Sequence, residues 1–160
     1  TPSASSAASD VYKRQLVAPS TLASPRRNVV GWDGSRLAML TAVLEARCGV
    51  PLSGRDIFLN VAGGLKISET AADLAVAAAL ISSVSGRPAP PRSVFFGEVA
   101  LSAELRQVAQ ADARLKEAAK LGFDMAVMPK PSKKLGAPSG LSIAQPSTLA
   151  ELIEIMGGVT

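Results

Sequence analysis

Apolar residues recur along the chain with two spacings, one typical of helices and one typical of strands. Helical spacing, bounded by glycine or proline, predicts helices over residues 34–48, 69–85, 110–121 and 148–156. Short runs rich in Val, Ile and Phe predict strands over residues 28–31, 56–61, 93–98, 125–128 and 141–144, with a hairpin over 99–108. Because helices and strands alternate, the predicted fold class is α/β (mixed α+β), in a single domain.

Short polar residues before the predicted helices are candidate N-caps, because their side chains can accept hydrogen bonds from free backbone N–H groups. Asp33 precedes the first helix, Ser68 or Thr70 the second, and Ser147 the last. The second helix is apolar nearly all round, which predicts that it lies buried between layers of the fold.

The N-terminal residues 1–15 are small and polar and match the in-frame translation of a transposon-based sequencing adapter. We expect them to be an artefact or disordered and exclude them from fold prediction. Residues 16–28 contain two prolines and predict an extended segment, and residues 29–157 predict the folded domain. No apolar run reaches the roughly 18 residues that span a bilayer.

Composition excludes several kinds of chemistry. The 160 residues contain no histidine and one cysteine, which excludes Ser-His-Asp and Cys-His catalysis, His-ligated zinc and an internal disulfide. This cysteine usage predicts a cytoplasmic protein. The 17 Lys and Arg residues against 13 Asp and Glu give a net charge of +4, a mild basic excess that permits contact with nucleic acid.

Several motifs occur together in a fixed order along the chain. They are residues 60–66 (NVAGGLK), 68–75 (SETAADLA), 79–88 (ALISSVSGRP) and 96–106 (FGEVALSAELR). Their order and spacing resemble the proteolytic domain of the Lon protease family, and more closely the C-terminal Lon-like domain of the RadA (Sms) family of bacterial DNA repair proteins. The resemblance covers residues 16–157 and implies a Lon proteolytic-domain-like fold.

A Lon-type peptidase uses a serine hydroxyl and a lysine amine whose pKa is lowered by desolvation. The resemblance puts the serine position at Ala71, where the side chain is a methyl group. It puts the lysine position at Asp112 when counted forward from residues 97–98 (GE) and at Ala113 when counted back from residues 118–123 (AAKLGF), a further stretch that shares the resemblance. Since neither carries an amine, the resemblance implies an inactive peptidase and no enzyme activity for this chain.

Members of the RadA family join this domain to a zinc finger and a RecA-like ATPase, and they form rings on DNA. The resemblance therefore implies a fragment of a longer protein: a non-catalytic scaffold domain supporting ring assembly and DNA binding in homologous recombination and branch migration. Zinc, ATP and magnesium belong to the missing domains, so no cofactor is expected here. The implied partners are DNA, further copies of the chain and a RecA-type recombinase, with no membrane.

Five basic residues are candidate DNA contacts. Arg26 and Arg27 lie where the domain would join an ATPase, and Lys130, Lys133 and Lys134 lie in a predicted loop. A solvated loop is the competing interpretation of the lysines.

Two other functions stay open. One is an active serine peptidase with an unorthodox dyad, in which Ser68 or Thr70 would act with Lys116. The competing interpretation is that the hydroxyls cap the second helix and that Lys116 is solvated. The other function is a pure oligomerisation module that makes no DNA contact.

Overall fold

A computed structural model describes residues 15–61 and 66–159, and these residues form the mixed α/β fold that the sequence predicts. The strands are β1 (Gln15–Pro19), β2 (Arg27–Val30), β3 (Arg55–Asn60), β4 (Ser93–Phe95), β5 (Glu98–Val99), β6 (Leu105–Arg106), β7 (Met125–Val127) and β8 (Ser142–Ala144). The helices are α1 (Gly34–Cys48), α2 (Asp73–Ser85), α3 (Ala111–Lys120) and α4 (Leu149–Ile155). None of these helices has the length and apolar character needed to cross a membrane.

The strands form two three-stranded sheets and one hairpin within the described residues. In the first sheet the order is β1-β3-β2, with β1 antiparallel and β2 parallel to β3. In the second sheet β4, β7 and β8 are parallel neighbours in that order. Strands β5 and β6 pair antiparallel, which confirms the predicted hairpin.

Helix α2 lies in the larger of two hydrophobic cores, as its apolar composition predicts, and all its residues from 73 to 82 are buried. Strands β4 and β7 separate this core from a smaller one under α3, because their side chains alternate between the two. Phe95 and Val127 belong to the larger core, whereas Val94, Ala126 and Met128 belong to the smaller one.

Helix α1 begins and ends as predicted. The Asp33 carboxylate accepts a hydrogen bond from the Ser35 backbone N–H at 2.9 Å, and Gly49 ends the helix in the left-handed conformation with φ of 67°. Leu37, Leu40 and Leu44, which helical spacing places on one face of α1, are buried.

The prediction for the start of the second helix was wrong. A 3₁₀ turn (Thr70–Ala72) comes first, α2 begins at Asp73, and neither the turn nor the helix has a side-chain cap. The hydroxyl of Thr70 donates instead to Glu98 Oε2 at 3.4 Å. Because Glu98 is 28 residues further along the chain, no local pattern could reveal this contact.

Two other predicted features need correction. The last helix is capped by Thr148, whose hydroxyl accepts from the Glu151 backbone N–H at 3.2 Å, and Ser147 instead hydrogen-bonds the Glu151 carboxylate. The strand predicted over residues 93–98 is divided between β4 and β5, because the chain leaves the second sheet at Gly97 to enter the hairpin.

The structure describes only part of the N-terminal region for which an artefact and an extended segment were expected. Residues 1–14 lie outside the described residues. Strand β1 begins at Gln15 and pairs with β3 from Gln15 to Pro19, so the first part of the predicted extended segment belongs to a sheet.

A buried ion pair joins α1 to α2. Asp73 is fully buried, and its carboxylate accepts hydrogen bonds from Nε of Arg36 at 2.8 Å and from Nη2 of the same side chain. The same carboxylate accepts a third hydrogen bond from the Val99 backbone N–H at 3.1 Å. The hydrogen bond to Asp73 raises the pKa of Arg36 even though burial opposes the charge. One carboxylate therefore fixes two helices and the hairpin.

We expect Arg36→Met to lower the free energy of unfolding by about 3–5 kcal/mol, because it leaves the Asp73 carboxylate buried without its partner. Urea unfolding followed by circular dichroism measures this change. Adding Asp73→Asn should recover part of the loss, since the amide oxygen can still accept from the Val99 backbone. The control is Arg92→Met, which removes an exposed ion pair with Asp124 and should cost about 1 kcal/mol or less. Equal effects of the two arginine variants would contradict the prediction.

Acid stability should depend on a second ion pair, in the first sheet. Arg26 donates to the Asp56 carboxylate from its backbone N–H at 2.6 Å and from its side chain at 2.8 and 3.1 Å, which lowers the pKa of Asp56 to about 2. Because the pKa of Asp56 is lower in the folded than in the unfolded protein, the ionised carboxylate stabilises the fold. This stabilisation is complete above the unfolded pKa, roughly 4, and is lost as the pH falls through about 2.

Asp56→Asn should therefore lower the free energy of unfolding at pH 7 and make the urea midpoint fall less steeply as the pH is lowered. The control Asp124→Asn should keep the steepness of the parent protein. Parallel curves of urea midpoint against pH for the parent and both variants would refute the prediction.

Candidate functional site

Ala71 lies in the 3₁₀ turn before α2, clamped by backbone contacts. Its side chain is 3% exposed, its carbonyl accepts from the Gly97 backbone N–H at 2.9 Å, and the Gly97 carbonyl accepts from Leu74 at 3.1 Å. A Cβ atom built on Gly97 would lie 2.8 Å from the Cδ atom of Pro129, so the close approach here requires glycine. The implied serine position is thus a rigid, buried turn that carries a methyl group instead of a nucleophile.

The two positions on α3 lie near this turn but face solvent. Asp112 and Ala113 are both exposed. The next residue, Arg114, donates from Nη2 to Glu69 Oε2 at 3.0 Å and so holds the first turn of α3 against the segment before Ala71. The structure therefore brings together the two segments that the resemblance pairs. The desolvation that makes a lysine a base is absent at both exposed positions.

The substitute dyad does not form in the structure. Ser68 and Lys116 are both exposed, and Thr70 donates its hydroxyl to Glu98. No hydrogen bond joins Lys116 to either hydroxyl in the described part of the chain.

Charged side chains around Ala71 are arranged in pairs. Asp73 pairs with Arg36, and Glu69 pairs with Arg114, whose guanidinium also lies 5.9 Å from the centre of the Phe96 ring. Among the described residues, no group of three or more His, Cys, Asp or Glu side chains could hold a metal ion. The carboxylates of Asp73 and Glu69 are therefore each balanced by an arginine, and the carboxylate of Glu98 accepts a hydrogen bond from Thr70.

The three candidate lysines come together on one surface. Lys130, Lys133 and Lys134 are exposed and line an open cavity of about 450 Å³, here called the lysine groove. The other residues that line it are Pro131, Ser132, Leu135, Ile143 and Gln145. None of the three lysines forms an ion pair within the described residues.

The two candidate arginines lie elsewhere, on the first sheet, and neither lines the lysine groove. Arg26 is 60% exposed but shares its charge with Asp56, whose side chain is 4% exposed. Arg27 is exposed and donates from Nη2 to the Leu52 carbonyl at 3.2 Å. The structural role of Arg26 was missed from the sequence, although a carboxylate within the apolar strand at Asp56 is the signal that a partner was needed.

Three curated proteins named DNA repair protein RadA are similar to the chain. The protein from Brucella abortus (strain 2308) is 54% identical over 138 residues, covering 86% of this chain and 30% of that protein. Those from Pseudomonas aeruginosa and Synechocystis sp. are 46% identical over 146 residues and 51% identical over 120 residues, covering 91% and 75% of this chain and 32% and 24% of theirs. The chain thus spans about a quarter to a third of the length of the curated relatives it matches.

A family profile described as subunit ChlI of Mg-chelatase matches residues 35–132, which is more than half of the chain. The matched stretch runs from the start of α1 into the loop of the lysine groove. It includes the Arg36–Asp73 ion pair and the turn at Ala71. The chain therefore belongs to the family described as subunit ChlI of Mg-chelatase.

Proposed function

We propose that the chain is the non-catalytic Lon-like scaffold domain of a RadA-type DNA repair ATPase, where it supports ring assembly and DNA binding in homologous recombination and branch migration. The observation that carries this proposal is the 46–54% identity to proteins named DNA repair protein RadA over most of the chain. The Lon-like part rests on the sequence motifs and is compatible with the mixed α/β fold. Zinc, ATP, magnesium and a RecA-type recombinase would be ligands and partners of the longer protein.

The site around Ala71 supports the non-catalytic part of the proposal. A serine–lysine peptidase needs a hydroxyl next to a buried amine. Here position 71 carries a buried methyl group, and Asp112 and Ala113 are exposed to solvent. The rigid turn is retained as part of the frame, because the backbone of Ala71 bonds to the strand connection at Gly97.

DNA contact is supported by the basic residues that remain exposed. A cation contributes to duplex binding by displacing counterions from phosphates, so a residue that is already paired contributes less. Arg27 is therefore a better candidate for phosphate contact than Arg26. Arg27 forms no ion pair within the described residues, whereas the guanidinium of Arg26 is paired with Asp56. The lysines are exposed, but they surround a cavity that is partly lined by apolar side chains. A surface that contacts only phosphates needs no apolar lining, so the lysines are weaker candidates for DNA contact than Arg27.

We expect no peptidase activity from this chain. Fluorogenic peptides and casein should remain uncleaved by the parent and by Lys116→Ala. Ala71→Ser should also be inactive, because the added hydroxyl would have no buried amine to accept its proton. Turnover by the parent that Lys116→Ala abolishes would instead establish the unorthodox dyad.

We expect weak, sequence-independent DNA binding that decreases with salt. Arg27→Glu should weaken binding and make the slope of log affinity against log salt shallower by about 0.9 for each phosphate that the protein no longer neutralises. Fluorescence anisotropy of a labelled duplex measures this, and the matched control is Arg47→Glu, an exposed arginine in the last turn of α1. Arg26 is not substituted in this experiment, because its ion pair with Asp56 stabilises the fold. Assembly without DNA affinity would identify a pure oligomerisation module, and the absence of both properties would refute the proposal.

A further inference from the structure

Leu101 is the most exposed large apolar side chain in the described part of the chain, at 71%, and it lies at the tip of the β5–β6 hairpin. The other exposed large apolar residues, Leu22, Val30 and Leu121, are 50–56% exposed. An apolar side chain presented this way at a loop tip is suited to insertion into a cavity on a partner.

The hairpin tip is held in one conformation. The Ala103 backbone N–H donates to the Ala100 carbonyl at 2.9 Å, and the Ala100 N–H donates to the Glu104 carbonyl at 2.9 Å, so both bonds close the loop around Leu101. Ala103 adopts a left-handed φ of 71°, and its carbonyl accepts from the Leu149 N–H at 2.9 Å, which ties the loop to the start of α4. A tip fixed in this way loses little conformational freedom when it binds.

The tip also carries a negative charge. Glu104 is exposed and has no ion-pair partner among the described residues. The basic residue of the hairpin, Arg106, stands directly opposite Glu98 across the two strands, at the base of the hairpin and not at its tip. The tip therefore presents a leucine next to an available carboxylate.

The lysine groove has the complementary chemistry. Leu135 and Ile143 supply half-buried apolar lining, the three lysines supply positive charge at the opening, and the volume of about 450 Å³ is ample for one leucine side chain. On a single chain the tip does not occupy the groove. Leu101 is 71% exposed and is not among the residues that line the groove, and Glu104 forms no ion pair with the lysines within the described residues.

We propose that the hairpin tip of one copy of this chain inserts Leu101 into the lysine groove of the next copy, with Glu104 beside the lysines. Each copy uses two different surfaces, so the contact is heterologous and repeats from copy to copy until it closes a ring. The inference rests on the ring assembly in the proposed function and names the surfaces that perform it. If the lysines take part in assembly, Arg27 remains as the candidate residue for DNA contact.

Sedimentation velocity of the chain over a concentration series tests the tip. Leu101→Ser should raise the dissociation constant of assembly by about thirtyfold, the loss typical of a buried anchor at an interface. The matched control is Leu121→Ser at the end of α3, which changes a similarly exposed leucine outside the contact and should assemble like the parent. Circular dichroism melting of both variants verifies that they are folded.

Mixing two variants tests the heterologous geometry. Lys133→Glu with Lys134→Glu disables the groove but keeps the tip, whereas Leu101→Ser disables the tip but keeps the groove. At a concentration above the dissociation constant of the parent but below that of the variants, each variant alone should be mainly monomeric. Their mixture should then form one-to-one dimers that grow no further.

Three results would overturn the inference. A Leu101→Ser protein that assembles like the parent would show that assembly uses other surfaces, while leaving the scaffold function standing. A lysine double variant that loses duplex binding but assembles normally would assign the groove to DNA. A parent chain that stays monomeric at all concentrations would overturn both the inference and the ring assembly on which it rests.

Discussion

The buried ion pair between Arg36 and Asp73 is the interaction on which the site and the hairpin both depend. A buried carboxylate is stable only when its charge is paired and its oxygens accept hydrogen bonds. Here those requirements bring α1 to the first turn of α2 and fix the start of the hairpin through Val99. The turn at Ala71 ends directly before Asp73, and the tip at Leu101 comes two residues after Val99, so both lie close to groups that this carboxylate holds in place.

The carboxylates on either side of Ala71 are both satisfied within the fold. Asp73 pairs with Arg36 and Glu69 pairs with Arg114, so neither carboxylate depends on a polar side chain at position 71. Arg27 on β2 and the three lysines of the lysine groove are exposed, and none of them takes part in an ion pair within the described residues.

The elements of this fold could be predicted where the signal is local. Apolar spacing gave α1 with its Asp33 cap, the buried α2 and the β5–β6 hairpin. Contacts between distant residues could not be predicted: the Arg26–Asp56 pair spans 30 positions and the Glu69–Arg114 pair spans 45. The start of α2 was predicted wrongly because it depends on such a distant contact. The hydroxyl of Thr70 donates to Glu98 and does not cap the helix. The basic candidates were found from charge alone, but charge does not reveal that Arg26 is already used or that the lysines share one cavity.

The alternation of β4 and β7 between two cores has a consequence for how the domain can change. Phe95 and Val127 pack on one side of the second sheet, while Val94, Ala126 and Met128 pack on the other. A larger or smaller side chain on either side shifts the shared backbone and alters the fit on the opposite side. The two cores therefore accept substitutions only as a coordinated set, and a redesign of the surface under α3 has to begin with the packing around α2.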